Sequence, residues 1–262
     1  MKQFVSMLSI FFLVSTLQSN ILEQILHTKE LRVCIWPEYY GISYIDPRTQ
    51  TLIGIDVDLA KVLAQSLDAR VEFIPSSFAT LIDDVTAHKC HIAMFAIGKT
   101  PARIEKLAFS TPHLASDIYA ITTKSNPRIR SWDDIDKKGV IVAVAKGTLH
   151  VNIMQERLRH ASVLIVDSLH AREQEVEAGR ADVFMTDYPF GMRMIHEQEW
   201  ARLLIPPKPF HITPYRWALP QNEPQWHERV DAFVDTINSN GVLLQTAKKY
   251  NLEPILYREL TP

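Results

Sequence analysis

The sequence is short of several things, and each shortage excludes something. Its 262 residues contain only two cysteines, Cys34 and Cys90, so neither a disulfide-stapled scaffold nor a cysteine-based zinc fold can organise it. Charge of one sign is also missing: 28 Lys and Arg stand against 30 Asp and Glu, for a net charge of −2 and no basic run. That balance argues against nucleic acid or an anionic membrane as the partner. With eight glycines there is no phosphate-cradling Gly-rich loop, and no Gly-x-Ser-x-Gly elbow is present. No metal site is expected. His88-Lys89-Cys90-His91 is dense in ligand types, but it straddles a helix end and a strand start, so its side chains diverge. What remains is ordinary globular material, 47% hydrophobic and 22% charged, enough for one large or two modest domains.

No run is long enough to span a bilayer. The apolar stretch Phe4–Val14 follows Met1 and Lys2 and gives way to Ser15, Thr16, Gln18, Ser19 and Asn20. That order describes a secretory signal peptide over residues 1–20, so the remainder is expected to be exported, periplasmic and soluble. Cys34 and Cys90 each sit in or beside an apolar strand pattern, and buried free thiols are the expectation.

The chain then alternates strands and helices. Leu31–Trp36 and Ile42–Ile45 read as strands, and a helix opens at Gly54-Ile55-Asp56 with Leu59, Val62, Leu63 and Leu67 at helical spacing. Arg70–Ile74, a helix through Phe78, Leu81, Ile82 and Val85, and Ile92–Ile97 complete a β-α-β-α-β series, the pattern of a parallel sheet. A second series runs through Val140–Val144, a helix from Gly147-Thr148, Val163–Val166, Leu169–Ala178, Ala181–Met185 and Pro189–Glu197. Tyr215–Leu219 is a further strand, followed by helices through Trp226–Ile237 and Val242–Lys249. Two such series predict two α/β lobes, each a mostly parallel sheet flanked by helices.

Parallel sheets bind ligands beyond the carboxyl ends of their strands. If two lobes face each other there, Arg103 and Asp187 supply one positive and one negative group to the same cleft. A guanidinium grips a carboxylate through paired hydrogen bonds, and a carboxylate accepts from an ammonium. Together they suit the zwitterionic end of an α-amino acid.

Five segments in order carry a resemblance. They are Gly54-Ile55-Asp56-Val57-Asp58-Leu59-Ala60; Thr100-Pro101-Ala102-Arg103 with Phe109-Ser110-Thr111-Pro112-His113; Lys146-Gly147-Thr148; Gly179-Arg180-Ala181-Asp182; and Thr186-Asp187. The chain resembles the amino-acid-binding branch of the bacterial extracellular solute-binding proteins, family 3, over about residues 30–250. The resemblance implies two lobes that close on a ligand, lobe 1 from residues 21–116 plus 214–262 and lobe 2 from 117–213. Their crossings would lie near Leu114–Ile121 and Ile205–Tyr215. It implies that Arg103, with Gly98 and Thr148, binds the ligand carboxylate and Asp187 the ammonium. Trp36, Tyr39, Phe78 and Phe95, with Tyr188, would wall the side chain, which points to a neutral or aromatic amino acid; Glu38 is the group that would serve a cationic one. The implied protein is a monomer without cofactor that delivers an amino acid to an ABC-type permease.

Two other outputs fit the same fold. Cyclohexadienyl (arogenate/prephenate) dehydratases look similar, but the resemblance places their catalytic Glu and Lys where this chain has Phe190 and Ile118. A ligand-sensing partner of a membrane receptor is the other, and would need a separate signalling protein.

Overall fold

A computed structural model of the chain describes residues 20–258, so the expected signal peptide lies outside the described residues apart from Asn20. Asn20 caps helix α1 (Ile21–Thr28), its side chain accepting from the Glu23 amide, and Lys29 closes the helix in the left-handed region. This helix was not foreseen from the sequence; it is two turns long, with Ile21 and Ile25 buried.

Strand β1 (Glu30–Ile35) leads into a small antiparallel sheet of β2 (Glu38–Tyr39), β3 (Ser43–Ile45) and β4 (Leu52–Ile53). Helix α2 (Ile55–Ser66) follows, then β5 (Arg70–Pro75), α3 (Leu81–Thr86) and β6 (Ile92–Ile97), whose six residues are all buried. Helix α4 (Pro101–Lys106), β7 (Leu107–Phe109) and β8 (Leu114–Ser116) complete the first half. The chain then enters a second sheet through β9 (Tyr119–Thr123), β10 (Ile141–Ala145), α5 (Leu149–Arg157) and β11 (Ser162–Val166). Helix α6 (Leu169–Glu177), β12 (Val183–Thr186), α7 (Tyr188–Glu197) and β13 (Ala201–Leu204) finish that sheet. It returns through β14 (Thr213–Pro220), then α8 (Pro224–Ser239) and α9 (Val242–Lys249).

The first sheet has the order β5-β1-β6-β14-β7, with β8 paired to β14; the second runs β11-β10-β12-β9-β13. Each is parallel where the βαβ units lie, β1 with β5 and β6, and β10 with β11 and β12. Each becomes antiparallel at the strands near the crossings, β14 against β6, β7 and β8, and β9 against β12 and β13. A strand arriving from the other lobe enters from the opposite end of the sheet, so it pairs antiparallel. The fold is thus two-lobed α/β, with helices flanking both sheets. Among the described residues, no helix is long and apolar enough to cross a membrane.

The cysteines correct the sequence-based expectation. Cys34 and Cys90 are joined in a disulfide rather than standing as free thiols, with Cα atoms 5.5 Å apart. Each flank alone reads as a core position, and both are fully buried. The pairing arises because β6 docks beside β1, with Cys34 opposite Ala93, which brings Cys90 at the entry to β6 alongside. With Cys90 so engaged, His88 and His91 have no thiolate neighbour.

The bridge closes a loop between positions 56 apart in sequence. Constraining the unfolded chain over such a loop stabilises by about 2–4 kcal/mol. Replacing both cysteines by alanine is therefore expected to lower the urea midpoint of unfolding measurably. An unchanged midpoint would show that the bridge adds nothing to stability.

Candidate functional site

The site begins at a buried carboxylate. Gly54 lies at φ +137°, where a Cβ would fall 2.2 Å from the Ile42 carbonyl oxygen, so only glycine lets α2 start so close to β3. Asp56, two residues on, has no exposed surface. Its Oδ2 accepts from the Ala96 amide at 2.9 Å. Its Oδ1 takes the Trp217 Nε1–H at 2.9 Å and pairs with His113 Nε2 at 3.1 Å. One side chain thus ties α2, the end of β6, β14 and the segment after β7. Ala96 holds a positive φ of 51°, unusual for a residue with a side chain, and its amide bond to Asp56 helps to hold it there.

That turn aims the next segment at the cleft. Thr100 caps α4, accepting from the Arg103 amide, and the first turn places Arg103 against the cleft with 4% of its surface exposed. Its Nη1 donates to the Gly98 carbonyl at 2.8 Å. Its Nη2 reaches across to the Gly147 carbonyl of the other lobe at 2.9 Å, and its guanidinium lies 5.0 Å from the Phe78 ring centroid. Gly147 has φ +78°, and a Cβ there would come within 2.7 Å of the Ala79 backbone. The two lobes meet backbone to backbone at this point.

From the second lobe, Asp187 caps α7 and accepts the Phe190 amide at 3.3 Å. It also accepts the Tyr39 hydroxyl from the first lobe, and the Tyr215 hydroxyl of β14 at 2.8 Å. Burial raises its carboxyl above the ordinary 3.8, opposed by the hydrogen bonds from Tyr39, Tyr215 and the Phe190 amide. Both phenols are pushed above their usual range, first by burial and then by the nearby Asp187 charge.

These groups surround one cavity of about 30 Å³, a cleft far tighter than the ~300–1,000 Å³ typical of small-ligand sites. Of the residues singled out from the sequence, Trp36, Tyr39, Phe78, Arg103, Thr148 and Asp187 line it. Gly98 takes part through its carbonyl, held by Arg103. Phe95 does not line it: it is fully buried behind Phe78, ring centroids 5.1 Å apart, because the β6 alternation turns it into the core. Tyr188 is also off the cavity, packed edge-on to Tyr119, and Glu38 lines a separate surface depression with Arg193.

Sequence reasoning missed Tyr215, His150 and Arg172, which complete the wall with Leu169 and Phe190. Arg172 is 2% exposed and its guanidinium lies over the rings of Phe184 and Phe190, 4.8 and 4.5 Å from their centroids. Burial lowers it to about 10, leaving it charged at neutral pH. His150 is lowered to about 3, chiefly by burial and then by the Arg172 charge, so it stays neutral. A signal for both existed: Leu169, Arg172 and Val176 form the buried stripe of α6, and His150, Ile153 and Met154 that of α5. A polar residue on an apolar helical stripe points inward.

The model of the bacterial extracellular solute-binding proteins, family 3, matches residues 31–253. The chain is 29% identical over 231 residues to a cyclohexadienyl dehydratase of Pseudomonas aeruginosa, covering 87% of this chain and 85% of that one. It is 22% identical over 227 residues to a probable amino-acid ABC transporter-binding protein of Haemophilus influenzae, covering 86% of each. Among solved structures it is similar to an ancestral amino acid-binding protein, a precursor of cyclohexadienyl dehydratase, at 28% identity and TM-score 0.80, covering 87% of this chain and 98% of that one.

The Asp56 junction is open to a direct test. Asp56→Ala strips three buried donors of their acceptor, and losses of about 1–3 kcal/mol per orphaned group predict severe destabilisation. Thermal unfolding should show a drop of many degrees, whereas a shift of only a degree or two would mean that the network is dispensable.

Proposed function

Because this chain belongs to the bacterial extracellular solute-binding proteins, family 3, we propose that it captures an L-α-amino acid between its two lobes and delivers it to an ABC-type permease. The observation that carries this reading is the facing of Arg103 and Asp187 across one buried cavity, one group from each lobe. Arg103 would take the α-carboxylate, with Thr148 at the same wall, and Asp187 the α-ammonium. Trp36, Tyr39 and Phe78 would cover the ligand. Closure is built in: bonds that now join Arg103 to the Gly147 carbonyl and Tyr39 to Asp187 would be shared with the ligand's charged groups. In a dry cleft those contacts are far stronger than in water.

Residues 21–116 plus 214–262 and residues 117–213 would move as the two bodies, hinging where β8 and β14 pair between the sheets. Export through the N-terminal segment fits the disulfide, since such bonds persist in oxidising compartments.

A dehydratase is the second reading, favoured by the similarity to the Pseudomonas aeruginosa enzyme. The cavity supports binding instead. Phe190 and Ile118 occupy the positions where the resemblance implies Glu and Lys in that group. His150 is too weakly basic to carry a proton at neutral pH, and the hydroxyls of Tyr39 and Tyr215 both donate to Asp187. Among the described residues of the cavity, neither His150 nor these two phenols is then poised as an acid near pH 7.

Calorimetry on protein refolded to strip ligand, against the amino acids, prephenate and arogenate, tests the proposal. At least one amino acid should bind, and Arg103→Ala should weaken it a hundredfold or more, since about 3 kcal/mol or more is lost when a buried charge is left unpaired. Unchanged affinity in that variant would overturn the site, and turnover of prephenate or arogenate would overturn the non-enzymatic reading.

The pH dependence has a defined sign. An ammonium needs Asp187 ionised, and burial raises that carboxyl above 3.8. Affinity should therefore fall, about tenfold per unit, as pH drops below the raised value. Asp187→Asn should flatten that slope; a wild-type affinity rising toward acid pH would refute the ammonium assignment.

A further inference from the structure

The amino-acid reading leaves one cavity charge unaccounted for, and that charge bears on what lies at the ligand's far end. Arg103 and Asp187 match a zwitterion, plus to minus and minus to plus. Arg172 on the same wall is a third full charge. Its Nη1 donates to the Met185 carbonyl at 2.6 Å and its Nη2 to Thr186 Oγ1 at 3.4 Å. Its Nε is buried without a hydrogen-bond partner among the described residues. No carboxylate there lies within ion-pair distance of it; Glu173 and Asp187 act on it only at longer range. Beside it on the wall, His150 is 8% exposed, and its buried Nδ1 is equally without a partner.

A buried guanidinium with no counter-ion is costly, and two aromatic faces and a carbonyl offset only part of that cost. The cavity therefore carries two positive charges against one negative. A neutral amino acid leaves that excess in place, and a cationic one adds a like charge in low dielectric. A second carboxylate on the ligand cancels it and offers oxygen acceptors to the guanidinium. Resting on the amino-acid reading, we infer that the ligand is an α-amino acid bearing a second carboxylate, and that Arg172, with His150 beside it, is the specificity-determining counter-ion. Two aromatic rings of the wall lie against these cations: Phe78, one of those expected from the sequence to select an apolar side chain, and Phe190, which was not. Phe190 stacks on Arg172, and Phe78 stacks on Arg103.

The chemistry could come from a short dicarboxylic amino acid or from a larger one whose second carboxylate sits on a ring. Calorimetry on the full refolded chain separates them, using L-glutamate, L-aspartate and L-arogenate against L-glutamine, L-asparagine, L-phenylalanine and L-arginine. At least one acidic ligand should bind tenfold or more tighter than every neutral or cationic one. The tightest acidic ligand identifies the source. A neutral or cationic amino acid that binds as tightly overturns the inference while leaving the amino-acid reading intact. Binding by none of the seven overturns the inference, and the amino-acid reading falls with it only if the remaining amino acids fail to bind as well. Arg172→Met keeps an unbranched chain against the two rings and should collapse the preference for the acid over its amide, while Arg172→Lys should restore part of it. If Arg172→Met folds and keeps the full preference, Arg172 is not the counter-ion; if it fails to fold, the wild-type ratio alone decides.

Discussion

Everything on the binding face hangs from the carboxylate of Asp56. It is sealed from water and holds donors from the end of β6, from β14 and from His113. The Ala96 turn that it secures bends the chain from the sheet into the loop carrying Gly98 and Arg103. Trp217, held by the same oxygen as His113, anchors the strand that carries Tyr215 to Asp187. A carboxylate placed at the start of α2 also meets unpaired amides and the positive helix end, which reduces the cost of burying it. One charge, satisfied on all sides, thus positions a second charge some forty-seven residues away in sequence, Arg103.

The two lobes are joined by polar contacts made by the groups proposed to bind the ligand. Arg103 spans to the Gly147 carbonyl, and Tyr39 spans to Asp187. Backbone contact at Gly147 then excludes solvent from the same seam. Such a closed arrangement gives a ligand two tasks, filling the cavity and sharing donors already engaged. Its affinity depends on how much better it satisfies them than the protein alone does. The unmatched charge of Arg172 is where the ligand-free cavity is least satisfied. The proposed ligand class rests on that electrostatic balance of the wall rather than on its aromatic content.

Local patterns made much of this legible. Helical spacing from Gly54 to Leu67 and the apolar run Ile92–Ile97 marked α2 and β6, and the repeated β-α order marked two lobes. Arg103, Asp187, Thr148, Trp36, Tyr39 and Phe78 do share one cavity. Phe95 was misplaced because alternation along a strand buried on both faces does not say which face meets the ligand. Arg172 went unread because an arginine in a helix is ordinarily solvated, although its place on the stripe of Leu169 and Val176 marks it as inward-facing. His150 carried the same mark on α5.

By itself, the sequence determined what depends on near neighbours along the chain: the elements, their order, the caps at Thr100 and Asp187, and the glycine demanded before α2. These follow from periodicity and from hydrogen bonds spanning a few residues. Tertiary structure alone decided what depends on which strands and lobes lie side by side. It paired Cys34 with Cys90, brought Tyr39 and Tyr215 onto Asp187, and set Arg172 over two phenyl rings with no carboxylate within ion-pair distance among the described residues. Contacts between residues tens to hundreds of positions apart leave no periodic trace, because only the docking of β6 on β1 and of one lobe on the other creates them.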